Sequence, residues 1–139
     1  MTQYLGIAPN PDESSQAYWQ ACRKERLLFQ CCAACGHRQF YPRPFCTVCL
    51  SDRVEWTQAS GKAKLHTYSV VYRTSDVRFT DLLPYVLAIV ELAEGPRMMA
   101  RIVNCSPDAL RSDQPLSLCF EGRGDYSLPQ FELAKEEVA

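Results

Sequence analysis

The chain has little net charge, few histidines and no long hydrophobic run. Its 139 residues include 15 Lys or Arg and 16 Asp or Glu, so the formal net charge is −1 and there is no overall attraction to DNA or RNA. Its most hydrophobic stretch is bracketed by Asp81 and Glu91 and is too short for a membrane helix. The first residues do not form a charged region followed by an apolar core, as a secretory signal would. These absences predict a cytoplasmic globular protein, in which clustered cysteines bind metal rather than form disulfides.

Catalytic motifs are equally scarce. The sequence has two histidines, His37 and His66, and no nucleophile motif, glycine-rich phosphate loop or paired metal-binding carboxylates. His66 alternates within a predicted strand, which indicates a structural residue rather than a general base. Cys22, Cys105 and Cys119 sit in helix and strand patterns and share no motif with a histidine, so they are interpreted as core residues. No enzyme activity is predicted for the chain alone.

Cysteine is the residue that the chain has in abundance. The stretch CCAACGHRQFYPRPFCTVC, residues 31–49, holds five of the eight cysteines. Cys32-x2-Cys35 and Cys46-x2-Cys49 are two matched pairs, and a two-residue gap lets both thiolates of one turn reach the same ion. Four such ligands close the tetrahedral shell of a structural Zn²⁺ and leave no position for a substrate. Iron in a rubredoxin-like site stays open as the alternative, because tetrahedral sulfur geometry suits both metals.

Two further residues next to these pairs are predicted to lie outside the metal shell. Using Cys31 in place of Cys32 would break the matched spacing, so Cys31 is expected to face away from the metal. His37 is a potential substitute ligand, but four cysteines already fill the shell. Gly36, directly after the first pair, suits the left-handed backbone that such a turn needs.

The rest of the sequence divides into a helical lead and a β-rich remainder. Asp12 to about Arg26 predicts a short amphipathic helix, capped by Asp12 or Ser14, whose apolar face docks on this chain or on a partner. From Val54 onward the pattern predicts a small closed barrel of about five strands, with a loop at 74–84 and a helical turn plus loop at 106–114. The predicted barrel strands are 54–58, 64–73, 85–92, 98–104 and 115–121.

A single-stranded nucleic-acid-binding module is the alternative class. Residues 22–53 carry six positive and two negative side chains, a balance of +4 that suits nucleic-acid phosphates, an acidic protein face or the phosphates of coenzyme A. The aromatic residues Phe40, Tyr41 and Phe45 could stack on bases, but in a ribbon this small they more often cover the metal. The barrel offers Tyr68, Tyr72 and Arg73, yet its strands at 85–92 and 115–121 add almost no basic residues.

A family resemblance is carried by motifs in order along about residues 14–131. They are C-x2-C-G, F-Y-P-R-P, C-x2-C, E-W, S-G-K-A, Y-S-V-V, P-Y-V-L-A-I-V-E-L, G-P-R and L-P-Q-F. This order resembles the acyl-CoA-associated zinc-ribbon/OB-fold proteins, long described as a domain of unknown function. The most specific parts are the cysteine pairs, Tyr41-Pro42-Arg43, Glu55-Trp56 and Ser60-Gly61. The second cysteine pair departs from the pattern, since Thr47, Val48 and Leu50 stand where relatives carry a proline and often a glycine.

The resemblance implies a fold and a role. The expected fold class is mainly β, with an N-terminal helix and rubredoxin-like zinc ribbon over residues 1–53, a five-stranded OB-fold barrel over 54–126 and a tail over 127–139. The expected role is a non-catalytic accessory subunit that binds and stabilises a thiolase-like or hydratase acyl-CoA enzyme and contributes to substrate access. The resemblance leaves open a CoA thioester at the partner interface.

Three segments are expected to contact either the partner or the chain itself. They are the N-terminal helix, the tail LPQFEL and the 74–84 loop with Val77, Phe79, Leu82 and Leu83.

Overall fold

The structure is a computed structural model that describes residues 13–75, 77–123 and 126–134. In these ranges no helix is long and apolar enough to cross a membrane. The elements in chain order are α1 (Gln16–Arg23), β1 (Leu28–Cys32), β2 (Arg38–Gln39), β3 (Val54–Gln58), β4 (Lys62–Val71), a 3-10 helix (Val77–Leu82), β5 (Tyr85–Leu92), β6 (Arg97–Ile102), a 3-10 turn (Pro107–Ala109), β7 (Pro115–Arg123) and β8 (Tyr126–Leu133).

Helix α1 is shorter than the sequence pattern suggested. Its N-cap is Ser15 rather than Ser14, and the other predicted cap, Asp12, lies outside the described residues. The helix ends at Arg23, since Glu25 has a left-handed φ of 58° that a continuing helix cannot use. The helix buries Tyr18 and packs against β1 and β8. Its apolar face therefore docks on the chain itself.

A three-stranded antiparallel sheet in the order β2-β1-β3 carries the cysteine ribbon. Residues 54–58 were expected to open the barrel, but they pair with β1 over the full length of both strands. Alternating side chains identify a strand but not its neighbour, which explains why the sequence pattern misplaced this strand. The division of the chain into modules at 53/54 and 126/127 stays a prediction.

The five-stranded barrel is closed in the order β4-β5-β6-β8-β7, by antiparallel pairing of β4 with β7. The predicted number of strands is confirmed, but the membership changes, because the segment expected to be a tail contributes β8. Phe131 of β8 is fully buried in the core, so this segment is held by the same apolar burial as the other strands. The apolar strand β5 pairs with β4 on one side and with β6 on the other.

One hydrophobic cluster runs through the helix, the ribbon and the barrel. Phe29 of the ribbon sheet belongs to the same buried cluster as Leu65 and Val90 of the barrel. On the surface, Arg38 Nη1 donates a hydrogen bond to the carbonyl oxygen of Glu94 in the β5–β6 turn, over 2.9 Å. Shared burial of this kind fixes the ribbon against the barrel.

Candidate metal centre

The two cysteine pairs lie in turns with the same backbone pattern. In the first turn the carbonyl of Cys32 accepts a hydrogen bond from the N–H of Gly36 at 2.8 Å, and in the second the carbonyl of Cys46 accepts from Leu50 at 3.0 Å. Both residues that close the turns are left-handed, with φ of 79° at Gly36 and 65° at Leu50. Glycine adopts this conformation freely, whereas leucine is strained in it. Gly36 therefore takes the backbone that its sequence predicted, and Leu50 takes the same backbone at a cost.

The turns face each other and bring four sulfur atoms together. The Sγ atoms of Cys32, Cys35, Cys46 and Cys49 all lie within 4.8 Å of one another. Two of the contacts, Cys32 to Cys49 and Cys35 to Cys46, are 3.6 Å long. Four sulfurs bound tetrahedrally at about 2.3 Å from one ion are ~3.8 Å apart. The donor set and its spacing fit a single zinc-sized ion.

The electrostatics of the cluster favour a bound cation. The pKa of Cys46 is lowered to about 6, chiefly by the backbone N–H of Cys49, and that of Cys32 is lowered chiefly by the backbone N–H of Cys35. The pKa of Cys35 is raised to about 12, since burial and the neighbouring sulfurs outweigh the lowering effect of the His37 backbone N–H. Four thiols this close therefore resist full ionisation on their own, and a soft divalent cation would stabilise all four thiolates.

Two buried glutamines, which the sequence analysis did not single out, hold the segment between the cysteine pairs. Gln39 on β2 donates from Nε2 to Gln30 Oε1 at 2.8 Å and to the Phe45 carbonyl at 3.2 Å, and its Oε1 accepts the Thr47 N–H at 3.0 Å. Gln30 on β1 donates to the carbonyl of Arg43 at 3.0 Å. These bonds position the turn that carries Cys46. The sequence does contain a sign of this role, because β1 and β2 each carry a glutamine. An amide that is buried in so small a ribbon has to be hydrogen-bonded.

Cys31 and His37 lie beside the cluster but do not join it. The sulfur of Cys31 is 4.0 Å from the carbonyl oxygen of Gly36. The Nε2 atom of His37 is 3.3 Å from Thr47 Oγ1, which makes this ring a partner of the loop. Within the described residues, the group of potential ligands contains the four predicted cysteines and neither of these side chains.

The remaining candidate residues lie apart from the ribbon. Cys22 is fully buried in α1, and burial raises the pKa of its thiol to about 11. Burial also raises the pKa values of Cys105 and Cys119, so neither has the character of an activated nucleophile. His66 is exposed on β4.

Apolar side chains are exposed around the second cysteine pair. Phe45, Val48 and Leu50, which we name the knuckle rim, are 42%, 65% and 71% exposed. In the 74–84 segment Val77 is 84% exposed, Leu82 and Leu83 are half-buried, and nothing is described of the Phe79 side chain. In the sequence analysis, only Phe45 of the knuckle rim was considered as a contact residue, for stacking on bases.

The candidate nucleic-acid residues lie at one end of β4. The hydroxyl of Tyr68 donates to the carbonyl of Leu110 at 3.3 Å, which ties this ring to the barrel. Tyr72 and Arg73 are exposed just beyond the strand. Tyr68 is itself 37% exposed, but three side chains at one end of one strand are a small surface for base stacking and phosphate contacts.

Two family models match consecutive parts of the chain. One, described as the rubredoxin-like zinc ribbon domain of ChsH2, covers residues 19–55, and the other, the C-terminal OB-fold domain of ChsH2, covers residues 56–121. Together they include all four clustered cysteines, the barrel strands β4 to β6 and most of β7.

Individual relatives agree with these models. The chain is 39% identical over 90 residues to a DUF35 domain-containing scaffold protein of Methanothermobacter thermautotrophicus, covering 64% of this chain and 67% of that protein. It is 33% identical over 131 residues to a probable enoyl-CoA hydratase alpha subunit of Thermomonospora curvata, covering 92% of this chain but 40% of that longer protein. A solved Ltp2-ChsH2(DUF35) aldolase contains a chain that matches with a TM-score of 0.81 and 30% identity, covering 91% of this chain and 98% of that one.

Proposed function

Because this chain belongs to the DUF35 family of ChsH2-type zinc-ribbon and OB-fold proteins, we propose that it is a non-catalytic accessory subunit of an acyl-CoA enzyme. The partner that we propose is a thiolase-like enzyme or a hydratase. Relatives named as a scaffold protein, a hydratase subunit and part of an aldolase support this proposal. The observation that carries it is a closed four-sulfur cluster next to an exposed apolar rim, which suits a surface for protein contact better than a reaction site.

We further propose that Cys32, Cys35, Cys46 and Cys49 bind one structural Zn²⁺. The sulfur spacing supports this assignment, and four protein thiolates leave the metal no open position for water or substrate. The metal would fix the two turns to each other and so hold the knuckle rim in one conformation. Elemental analysis of the purified protein distinguishes zinc from iron. Visible absorption is a second check, since Zn²⁺ bound to four thiolates is colourless and Fe³⁺ in such a site is not.

In this proposal the accessory chain provides a surface and the partner provides the chemistry. The metal folds the ribbon, the ribbon and α1 pack on the barrel, and the knuckle rim contacts the enzyme. Burying Val48 and Leu50 against a partner would contribute up to about 1.5–3 kcal/mol each, which is the scale of an interface hot spot. The partner supplies the reactive cysteine or tyrosine, and the chain contributes to substrate access.

Co-expression with thiolase-like and hydratase candidates tests the proposal. We expect a stable complex by size-exclusion chromatography with light scattering, and an increase in the solubility or rate of the enzyme. Val48→Asp with Leu50→Asp should weaken the complex at least about tenfold, because a charge would then be desolvated in an apolar contact. Tyr72→Asp, which places the same charge at a 70% exposed apolar side chain outside the knuckle rim and outside the three expected contact segments, is the control.

Two results would contradict the proposal. The first is a chain that co-purifies with none of the candidates and alters neither their solubility nor their rate. The second is turnover of acyl-CoA by the purified chain alone, which would make it an enzyme in its own right.

A further inference from the structure

A groove of about 450 Å³ opens between α1, the ribbon and the barrel, away from the four cysteines. Its walls come from Tyr18 and Trp19 of α1, from the Phe40–Pro42 segment and from strands β6 and β8. Most of the lining is apolar, and the volume lies within the range of small-molecule sites, about 300–1,000 Å³.

The groove exists because β6 and β8 separate. These strands run parallel and share one residue pair, Ile102 with Phe131, where the Val103 N–H donates to the Phe131 carbonyl at 2.9 Å. The next rung of a parallel ladder would need a donor at residue 129, two residues before Phe131, and Pro129 has no N–H to donate. On β6 the N–H of Met99 donates to the hydroxyl of Tyr41 at 3.2 Å. The opening is thus encoded by a proline and maintained by a tyrosine from the ribbon.

The aromatic wall of the groove is rigidly packed. Tyr18 meets Phe40 edge to face with ring centroids 5.6 Å apart, and Phe40 meets Tyr41 in the same way at 5.2 Å. Burial raises the pKa of Tyr18, so this ring stays uncharged. A preformed apolar wall binds an apolar body at low entropic cost, because its side chains are already ordered.

One side chain of the groove lining lacks hydrogen-bond acceptors. Arg101 lines the groove, and its Nε and Nη1 atoms are buried without a hydrogen-bond partner within the described ranges. Its charge is already balanced, since Nη1 lies 3.5 Å from Glu121 Oε2, and that carboxylate also accepts a short hydrogen bond from Gln130 Nε2. Unmade hydrogen bonds of a buried guanidinium are costly. What would complete the hydrogen bonding of Arg101 is an oxygen acceptor that carries no further charge.

We propose that this groove binds an uncharged molecule with an apolar chain and a carbonyl oxygen, such as a fatty amide or ester. The chain lies along the aromatic wall and the two methionines of β6, and the carbonyl oxygen accepts from Arg101 after a small adjustment of its side chain. A carboxylate of the same length would meet Glu121, and an amine would meet the guanidinium. The inference concerns the isolated chain and does not depend on the proposed enzyme partner.

Methionine-methyl NMR of the full chain tests the proposal with octanamide as the probe. The chain has three methionines, of which Met98 and Met99 line the groove, so few signals need assignment. We expect saturable shifts of both groove methyls with octanamide, and affinity about fifteenfold lower for hexanamide, because each methylene is worth about fourfold. Octanoate and octylamine, which have the same chain length, should bind more weakly than octanamide.

Two arginine variants separate the polar contact from apolar binding. Arg101→Met should weaken octanamide binding at least about tenfold, whereas Arg97→Met, on the same strand and outside the groove lining, should not change it. Three outcomes overturn the proposal: wild-type methyl signals that do not respond to octanamide, tighter binding of octanoate, and equal affinities of the two variants. Methyl shifts that depend on protein concentration alone would also overturn it, since a second copy of the chain would then cover the groove. The wild-type measurement decides the question even where Arg101→Met fails to fold.

Discussion

Replacing Gln39 by leucine should loosen the metal centre although no metal ligand changes. The side chain is 8% exposed and makes four hydrogen bonds, from Nε2 to Gln30 and Phe45 and to Oε1 from the N–H and hydroxyl of Thr47. Leucine has nearly the same volume, so the change removes the bonds without opening a cavity. Each lost bond costs about 0.5–1.5 kcal/mol, and solvent reaches Phe45 and Thr47 and offsets part of the loss. The expected total is about 2–4 kcal/mol.

The loss should appear in metal affinity, because folding of a small ribbon and metal binding are coupled. A change of about 2–4 kcal/mol corresponds to a Zn²⁺ dissociation constant about 30- to 700-fold higher, measured by competition with a chromophoric chelator. Gln58→Leu is the matched control, because Gln58 is exposed at the end of β3 and should change the affinity by less than about twofold. A Gln39→Leu protein with wild-type zinc affinity and wild-type melting temperature would refute this reasoning.

Three further outcomes are expected. Removal of the metal with a strong chelator should unfold the ribbon, seen as loss of near-UV circular dichroism, and added Zn²⁺ should restore it, since zinc contributes about 10 kcal/mol or more in such modules. Phe131→Ala should lower the free energy of unfolding in urea by about 3–5 kcal/mol, and Phe120→Ala, at a half-buried site on β7, should lower it clearly less. Small and equal losses for the two variants would show that β8 does not belong to the core. The pKa of Glu91 is lowered chiefly by its hydrogen bond with Lys64 and further by Arg97, so its contribution to stability is present at neutral pH and fades on acidification. The melting-temperature difference between wild type and Glu91→Gln should therefore shrink below about pH 4, and a difference that grows there would contradict the assignment.

The ribbon was largely predictable because its information is local. The spacing Cys32-x2-Cys35 contains both the turn and the ligands, and Gly36 specifies the left-handed residue that closes it. Leu50 occupies the corresponding position in the second turn with the same backbone, although no local preference of leucine favours it. There the hydrogen bonds of the turn and the sulfur cluster override propensity.

The barrel was predictable in number of strands but not in membership, since pairing between distant segments leaves little trace in one sequence. Residues 54–58 alternate like a barrel strand, yet they pair with β1, which lies more than twenty residues earlier. Most of β8, residues 127–133, fell within the expected tail, and the strand contains Pro129, a residue that is rare inside sheets. The structure shows the position where proline is tolerated: the side of β8 that faces β6 has no partner at that residue.

Pro129 lies both in β8, which was expected to be a tail, and in the lining of the groove, which the sequence could not show. A strand that pairs fully with β6 would close the barrel wall beneath α1 and leave no room for the groove. Pro129 removes one donor from β8, the Met99 N–H of β6 donates to the Tyr41 hydroxyl, and Arg101 has buried nitrogens without hydrogen-bond partners in the described part of the chain. Each residue is unremarkable in its own segment, and only the meeting of β6, β8 and the ribbon gives them a common role. A local irregularity in β8 thus becomes a candidate binding site through long-range packing.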